Sequence, residues 1–136
     1  VEVKMKRTMA MASLALAAAC STATAQDAKP LLLKKEVVQA MPRGAQQEIS
    51  VLTAAFKPGD RTAFHTHRFP VTVYVIAGAF TLDLEGLPTV VVRAGEAFVE
   101  PPNVRMTGYN RSASDELKVV IFYVGDPNTP FLDVVH

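Results

Sequence analysis

Residues 71–100, VTVYVIAGAFTLDLEGLPTVVVRAGEAFVE, decide the fold class. Val71 to Ile76 is rich in β-branched and aromatic residues, which suit a pleated, half-buried surface. Gly78 breaks that run. Phe80 to Leu84 then alternates apolar with polar residues, the period of a strand with one buried face. Glu85-Gly86-Leu87-Pro88 turns the chain, Thr89 to Val92 gives another strand, and Ala94-Gly95-Glu96 another turn. Ala97 to Glu100 stops at Pro101-Pro102-Asn103. Short strands spaced by Gly and Pro predict an all-β sandwich or barrel.

The pattern continues on both sides. Leu31 to Val38 is predicted as an edge-like first strand and Glu48 to Phe56 as a longer one, separated by a loop holding Pro42 and Gly44. Lys57-Pro58-Gly59-Asp60 is a strong turn signal, and Thr62 to His67 reads as a strand. Downstream, Val104 to Tyr109 and Leu117 to Val124 are strands separated by the polar loop Asn110 to Asp115. No helix is predicted after residue 25. A closed or double-sheet barrel would also cover the edges that such strands expose. No internal repeat is evident beyond the strand spacing.

The first residues read as an export signal. Lys4, Lys6 and Arg7 form a positive start, best read from Met5. Met9 to Ala19 is uncharged and mostly apolar, and Ala23-Thr24-Ala25 offers small residues for cleavage after Ala25. The apolar stretch is shorter than the about 20 residues that a spanning helix needs. Residues 1–25 are therefore expected to be a signal peptide and residues 26–136 one domain, in a periplasmic or secreted protein with no integral membrane segment. Lipid attachment through Cys20 is the less favoured variant, because Ala17 stands where a lipoprotein signal wants a Leu-like residue. Cys20 is the one cysteine of the chain, so the domain forms no internal disulfide. The formal net charge of the whole chain is +1. With no basic tract, electrostatics give no reason to invoke nucleic acid.

Chemistry concentrates in Gly59-Asp60-Arg61-Thr62-Ala63-Phe64-His65-Thr66-His67. In a strand, side chains two apart share a face, so His65 and His67 project together and offer half of a divalent metal site. The chain resembles the cupin superfamily on these residues. Gly59, His65, His67 and Gly78 stand at the spacing of the family's first motif, and Gly95, Pro101 and Asn110 at that of its second. The resemblance spans about Lys57 to Val124 and implies a single cupin, jelly-roll-like β-barrel. Such barrels commonly hold a transition metal through three histidines and a glutamate, and often pair as homodimers. Here the glutamate position falls on Val71 and the third histidine on Met106. Asn103 replaces a glycine, which is tolerable because Asn also visits left-handed turns.

The predicted metal ligands are thus His65, His67 and Met106. Imidazole and thioether together suit a soft ion such as Cu(I). A site completed by water could instead hold zinc or iron and support dioxygenase, isomerase or lyase chemistry on a small metabolite. In a third reading no metal is bound, and the pocket takes a small organic molecule. Methionine also fills apolar gaps without binding anything. Tyr74, as a hydrogen-bond donor near the barrel mouth, and Asn110, in the second motif, are candidate ligand contacts. Arg68 is a candidate partner for a carboxylate, and Glu100 faces either into or out of the barrel. Binding of a metal ion or small ligand is the leading expectation, and a metal-dependent enzyme the alternative.

Overall fold

The computed structural model describes residues 25–136. The predicted signal peptide and Cys20 lie outside the described residues, save for Ala25. Residues 25–30 are exposed and irregular. From Leu31 onward the chain is all β, with no helix among the described residues.

The strands are β1 (Glu48–Phe56), β2 (His65–Thr66), β3 (Val71–Ala77), β4 (Ala79–Leu84), β5 (Val90–Arg93), β6 (Ala97–Glu100), β7 (Met106–Tyr109), β8 (Leu117–Gly125) and β9 (Asp133–Val134). They form a four-stranded sheet ordered β1-β8-β3-β6 and a five-stranded sheet ordered β5-β4-β7-β2-β9. Every pairing is antiparallel. Apart from the β4–β5 hairpin, consecutive strands lie in different sheets, which is the winding of a jelly roll. The two sheets face each other without joining into one ladder, so the expected closed barrel is a two-layer jelly roll. Proline explains part of this: lacking an N–H, Pro70 precedes β3 and Pro101-Pro102 ends β6.

The core follows the alternation read from the sequence. Val71, Val73 and Val75 of β3 are buried, while Thr72 and Tyr74 between them point the other way. Phe80, Leu82 and Leu84 of β4 face them, joined by Met106, Leu117, Val119 and Tyr123. Such apolar burial is the main favourable term of folding.

Leu31 to Val38 forms no strand, contrary to expectation. It runs past Thr72, Val99 and Phe122 on the outer face of the first sheet, with Leu31, Leu32 and Val37 largely exposed. Without a strand partner to take up its backbone groups, β propensity alone does not make it a strand.

The β3–β4 crossover depends on Gly78. Its φ is +78°, and a Cβ there would stand 2.8 Å from the Glu116 carbonyl oxygen. A left-handed conformation costs a non-glycine residue roughly 1–2 kcal/mol, and the clash is with backbone that cannot rotate away. Gly78→Ala is expected to cost about 2 kcal/mol or more, measured as a lower urea midpoint with an unchanged slope.

Candidate functional site

His65 lies on β2 and His67 just beyond it. Burial still alternates as in a strand: both rings are almost fully covered, and Thr66 between them is only half-buried. The expected shared face therefore holds although the regular strand is shorter than predicted. The turn after β6 braces the pair, since Asn103 adopts φ 59° and its N–H donates to the His67 carbonyl at 2.7 Å.

The ring hydrogen bonds fix the chemistry. His65 Nδ1 lies 2.7 Å from the Ala63 carbonyl oxygen, and His67 Nδ1 lies 2.7 Å from that of Phe131. A carbonyl oxygen only accepts, so each Nδ1 carries a hydrogen and donates it. In the neutral ring, Nε2 is then a bare lone pair. The two Nε2 atoms lie 3.1 Å apart, with the rings nearly perpendicular at 78°. Burial holds the His65 imidazole below its ordinary pKa, with a smaller contribution in the same direction from His67.

The third member of the cluster is Glu100. Its carboxylate Oε2 lies 3.1 Å from His67 Nε2, and the residue is only 4 % exposed. In the β3–β6 ladder Glu100 sits directly opposite Val71, and directly opposed residues share a face. The carboxylate missing from position 71 thus enters the same interior from the neighbouring strand. The sequence left its direction open because β3 and β6 are joined through β4 and β5, and no local signal fixes their register.

The cluster forms the polar wall of a small cavity of about 50 Å³. Phe56, Phe80, Val119, Ile121, Phe131 and Leu132 supply apolar walls. A water needs roughly 10–15 Å³ on this measure, so the space suits a few waters or a molecule of a few heavy atoms.

The other expected site residues stand in different relations to the cavity. Met106 is fully buried and directly opposite His65 in the β2–β7 ladder, so it shares the interior face with that histidine, but it packs into the apolar core and is not among the residues that line the cavity. Tyr74 is on the outer face of β3, away from the histidines. Asn110 is buried, and its side chain ties its own loop to the end of β1: Nδ2 donates to the carbonyls of Phe56 and Asp115, and Oδ1 accepts from Ser112 N. Arg68 already has a carboxylate, holding Asp133 through two hydrogen bonds of 2.8 and 2.9 Å. That contact keeps the Asp133 carboxyl below its ordinary pKa.

Whether a metal fits turns on the donor set. Among the described residues, no three or more His, Cys, Asp or Glu side chains form a ready-made cage. His67 Nε2 instead lies 3.1 Å from both His65 Nε2 and Glu100 Oε2, so His67 is the shared neighbour of the other two. Both spacings are near those of neighbouring ligands on one ion, since bonds of about 2.1 Å put donor atoms roughly 3 Å apart at an octahedral angle and roughly 3.4 Å apart at a tetrahedral one. Two imidazole lone pairs and a carboxylate are chemically suited to a divalent transition metal.

A family model described as a cupin domain matches residues 52–123, just over half of the chain. The chain belongs to the cupin family. It is 34% identical over 84 residues to Protein SchB of Streptomyces halstedii, a match covering 61% of this chain and 58% of SchB. The chain thus spans well under two thirds of that relative. Among solved structures, the DMSP lyase DddQ from Ruegeria pomeroyi DSS-3 superposes with a TM-score of 0.55 at 17% identity, covering 64% of this chain and 43% of DddQ. A cupin-like protein from Thermotoga maritima also superposes with a TM-score of 0.55, at 22% identity and 64% coverage of both chains. At these identities the likeness is one of fold.

The geometry of Asn110 separates a structural from a ligand-contacting role. Asn110→Ala leaves the Phe56 and Asp115 carbonyls without their donor and is expected to cost about 2 kcal/mol of stability. The loss is expected as a lower urea midpoint with an unchanged slope.

Proposed function

We propose that this cupin domain binds a divalent transition-metal ion through His65, His67 and Glu100. One observation carries the reading. With both Nδ1 atoms donating to carbonyls, the two Nε2 atoms and the Glu100 carboxyl group are left facing one another in a buried, largely apolar cavity, Nε2 to Nε2 and Nε2 to Oε2 at 3.1 Å. Two neutral Nε2 atoms and a carboxylate are all acceptors, so the two 3.1 Å contacts are repulsive unless a metal ion or a proton joins them, and low surrounding polarity sharpens that cost. Main-chain carbonyls holding the far nitrogen of each imidazole are also the usual support of metal-bound histidine.

The donor set favours borderline divalent ions such as iron, manganese, nickel or zinc. It argues against the Cu(I) site expected with Met106, because the third donor near the rings is a hard carboxylate. Such an ion, when bound, acts as a Lewis acid toward an oxygen of a small ligand. The chain's own residues orient the imidazoles, exclude bulk water and limit the ligand to a few heavy atoms. DddQ is a DMSP lyase, and at 17% identity that activity is not carried over to this chain; binding is the leading reading here and catalysis the alternative.

The reading includes export, resting on the signal-like residues 1–25. It also includes a pair of chains: β1 is a sheet edge with Ile49 and Val51 exposed, and such edges invite a second strand. A second reading rests on the same 3.1 Å contact between His67 and Glu100. There a proton, instead of a metal, sits on His67 Nε2 and makes an ion pair with Glu100.

The test is elemental analysis of the full chain purified without a histidine tag, followed by calorimetric titration with Zn²⁺ and Mn²⁺. One equivalent of metal is expected. Glu100→Gln is expected to lower affinity about 10–100-fold, His65→Ala to abolish tight binding, and Met106→Leu to leave it unchanged. Equal affinity in wild type and Glu100→Gln overturns the carboxylate's role. Absence of any bound metal, with a histidine NMR spectrum showing a proton on His67 Nε2, replaces the ion by the proton.

A further inference from the structure

The polypeptide after β8 is tied to the histidine cluster by more contacts than a loose tail needs. Residues 126–129 make a turn closed by Thr129 N–H donating to the Asp126 carbonyl, with Asn128 at φ 64°. Beyond it the chain folds back over the cavity. The Phe131 ring packs against His67 at 4.8 Å with the ring planes tilted by 47°, and meets Tyr123 edge-on at 5.6 Å. Phe131 and Leu132 line the cavity. Asp133 and Val134 pair with Thr66 and His65, and Val135 N–H donates to the Phe64 carbonyl at 2.9 Å. Two side chains bind this segment from outside: Arg68 grips Asp133 at both carboxylate oxygens, and the Tyr123 hydroxyl donates to the Pro130 carbonyl at 3.4 Å.

We infer that residues 126–135 are a latched strap that completes the site, with Phe131 as the positioning residue of His67 and the Arg68–Asp133 pair as the latch. The inference rests on the metal-binding reading for its consequence but not for its structure. The Phe131 carbonyl is the acceptor that fixes the hydrogen of His67 on Nδ1. When the strap lifts, His67 loses that acceptor, its ring is free to change tautomer, and two walls of the cavity leave together. Closure of the strap and exposure of the Nε2 lone pair are therefore one event.

The strap is also built to be the part that opens. β9 has two residues, against nine in each of β1 and β8. The latch residues are exposed: the Arg68 side chain keeps 53% and that of Asp133 39% of its surface. Short pairing at a sheet edge is where local opening takes place below the cost of global unfolding. Phe131 and Leu132 line the cavity of about 50 Å³, so lifting them widens access to it.

Two measurements test this. Hydrogen exchange on the full chain reads the strap directly: Asp133→Ala is expected to speed exchange at Val135 and its neighbours about ten-fold, with β1 and β8 unaffected. Release of Zn²⁺ to excess chelator from the loaded protein reads the site, and Asp133→Ala is expected to release it about ten-fold faster. The charge exchange Arg68→Asp with Asp133→Arg is expected to restore slow exchange and slow release, which a mere loss of folding would not allow. Unchanged strap exchange in Asp133→Ala and in Arg68→Ala overturns the latch. Faster strap exchange with unchanged Zn²⁺ release overturns the coupling to the site. If the wild type binds no Zn²⁺, the metal reading fails by itself, and strap exchange alone decides for or against the latch.

Discussion

Each of the two imidazoles gives its Nδ1 hydrogen to a main-chain carbonyl, His65 to Ala63 and His67 to Phe131. That pair of bonds decides which face each ring turns to the interior. Had either Nδ1 been the bare nitrogen, its Nε2–H would have supplied the donor the cluster needs. Because both are engaged, the site collects three acceptors and requires a cation. The rest of the arrangement follows from holding those acceptors in place: the alternation across Thr66, the brace from Asn103 to the His67 carbonyl, and the entry of Glu100 opposite Val71.

The fold bears the cost of this cluster through the surfaces around it. Removing a carboxylate from water costs several kcal/mol unless a partner compensates, and Glu100 is 4 % exposed. The walls that dry the site are the same residues that build the core, with Val73 and Val119 serving both. A substitution that loosens the packing of those strands would let water reach Glu100 and weaken the requirement for a cation. Stability and site chemistry are thus carried by the same valines and phenylalanines.

Much of this was legible in the sequence. The alternation of Phe80 to Leu84, the Gly78 break and the Pro101-Pro102 stop place strands where they occur, and β1 and β6 match their predicted bounds. His65 and His67 share a face as their spacing requires, and Asn103 takes the left-handed conformation expected of a residue in a glycine's place. Other features depend on partners that a linear reading does not supply. Leu31 to Val38 has strand-like residues but no strand partner. Tyr74 has the right chemistry on the wrong face. Asn110 keeps its motif position because its amide satisfies Phe56, Asp115 and Ser112, a loop-locking task that spacing alone does not distinguish from ligand contact.

The largest difference concerns the carboxylate. A family pattern assigns a ligand to a position in the chain, whereas a cavity needs only that a side chain arrive there. Directly opposed residues on antiparallel strands place their Cβ atoms about 4.5–5.5 Å apart, less than the reach of a glutamate side chain. Val71 and Glu100 are such a pair, so an acidic residue at either rung can address the same interior point. The approach differs, since Glu100 reaches His67 from β6, at the edge of the first sheet, instead of from β3 within it. Reading a departure from a motif as a lost ligand is therefore sound only after the residue across the ladder has been inspected. In this chain that residue carries the charge that Val71 lacks.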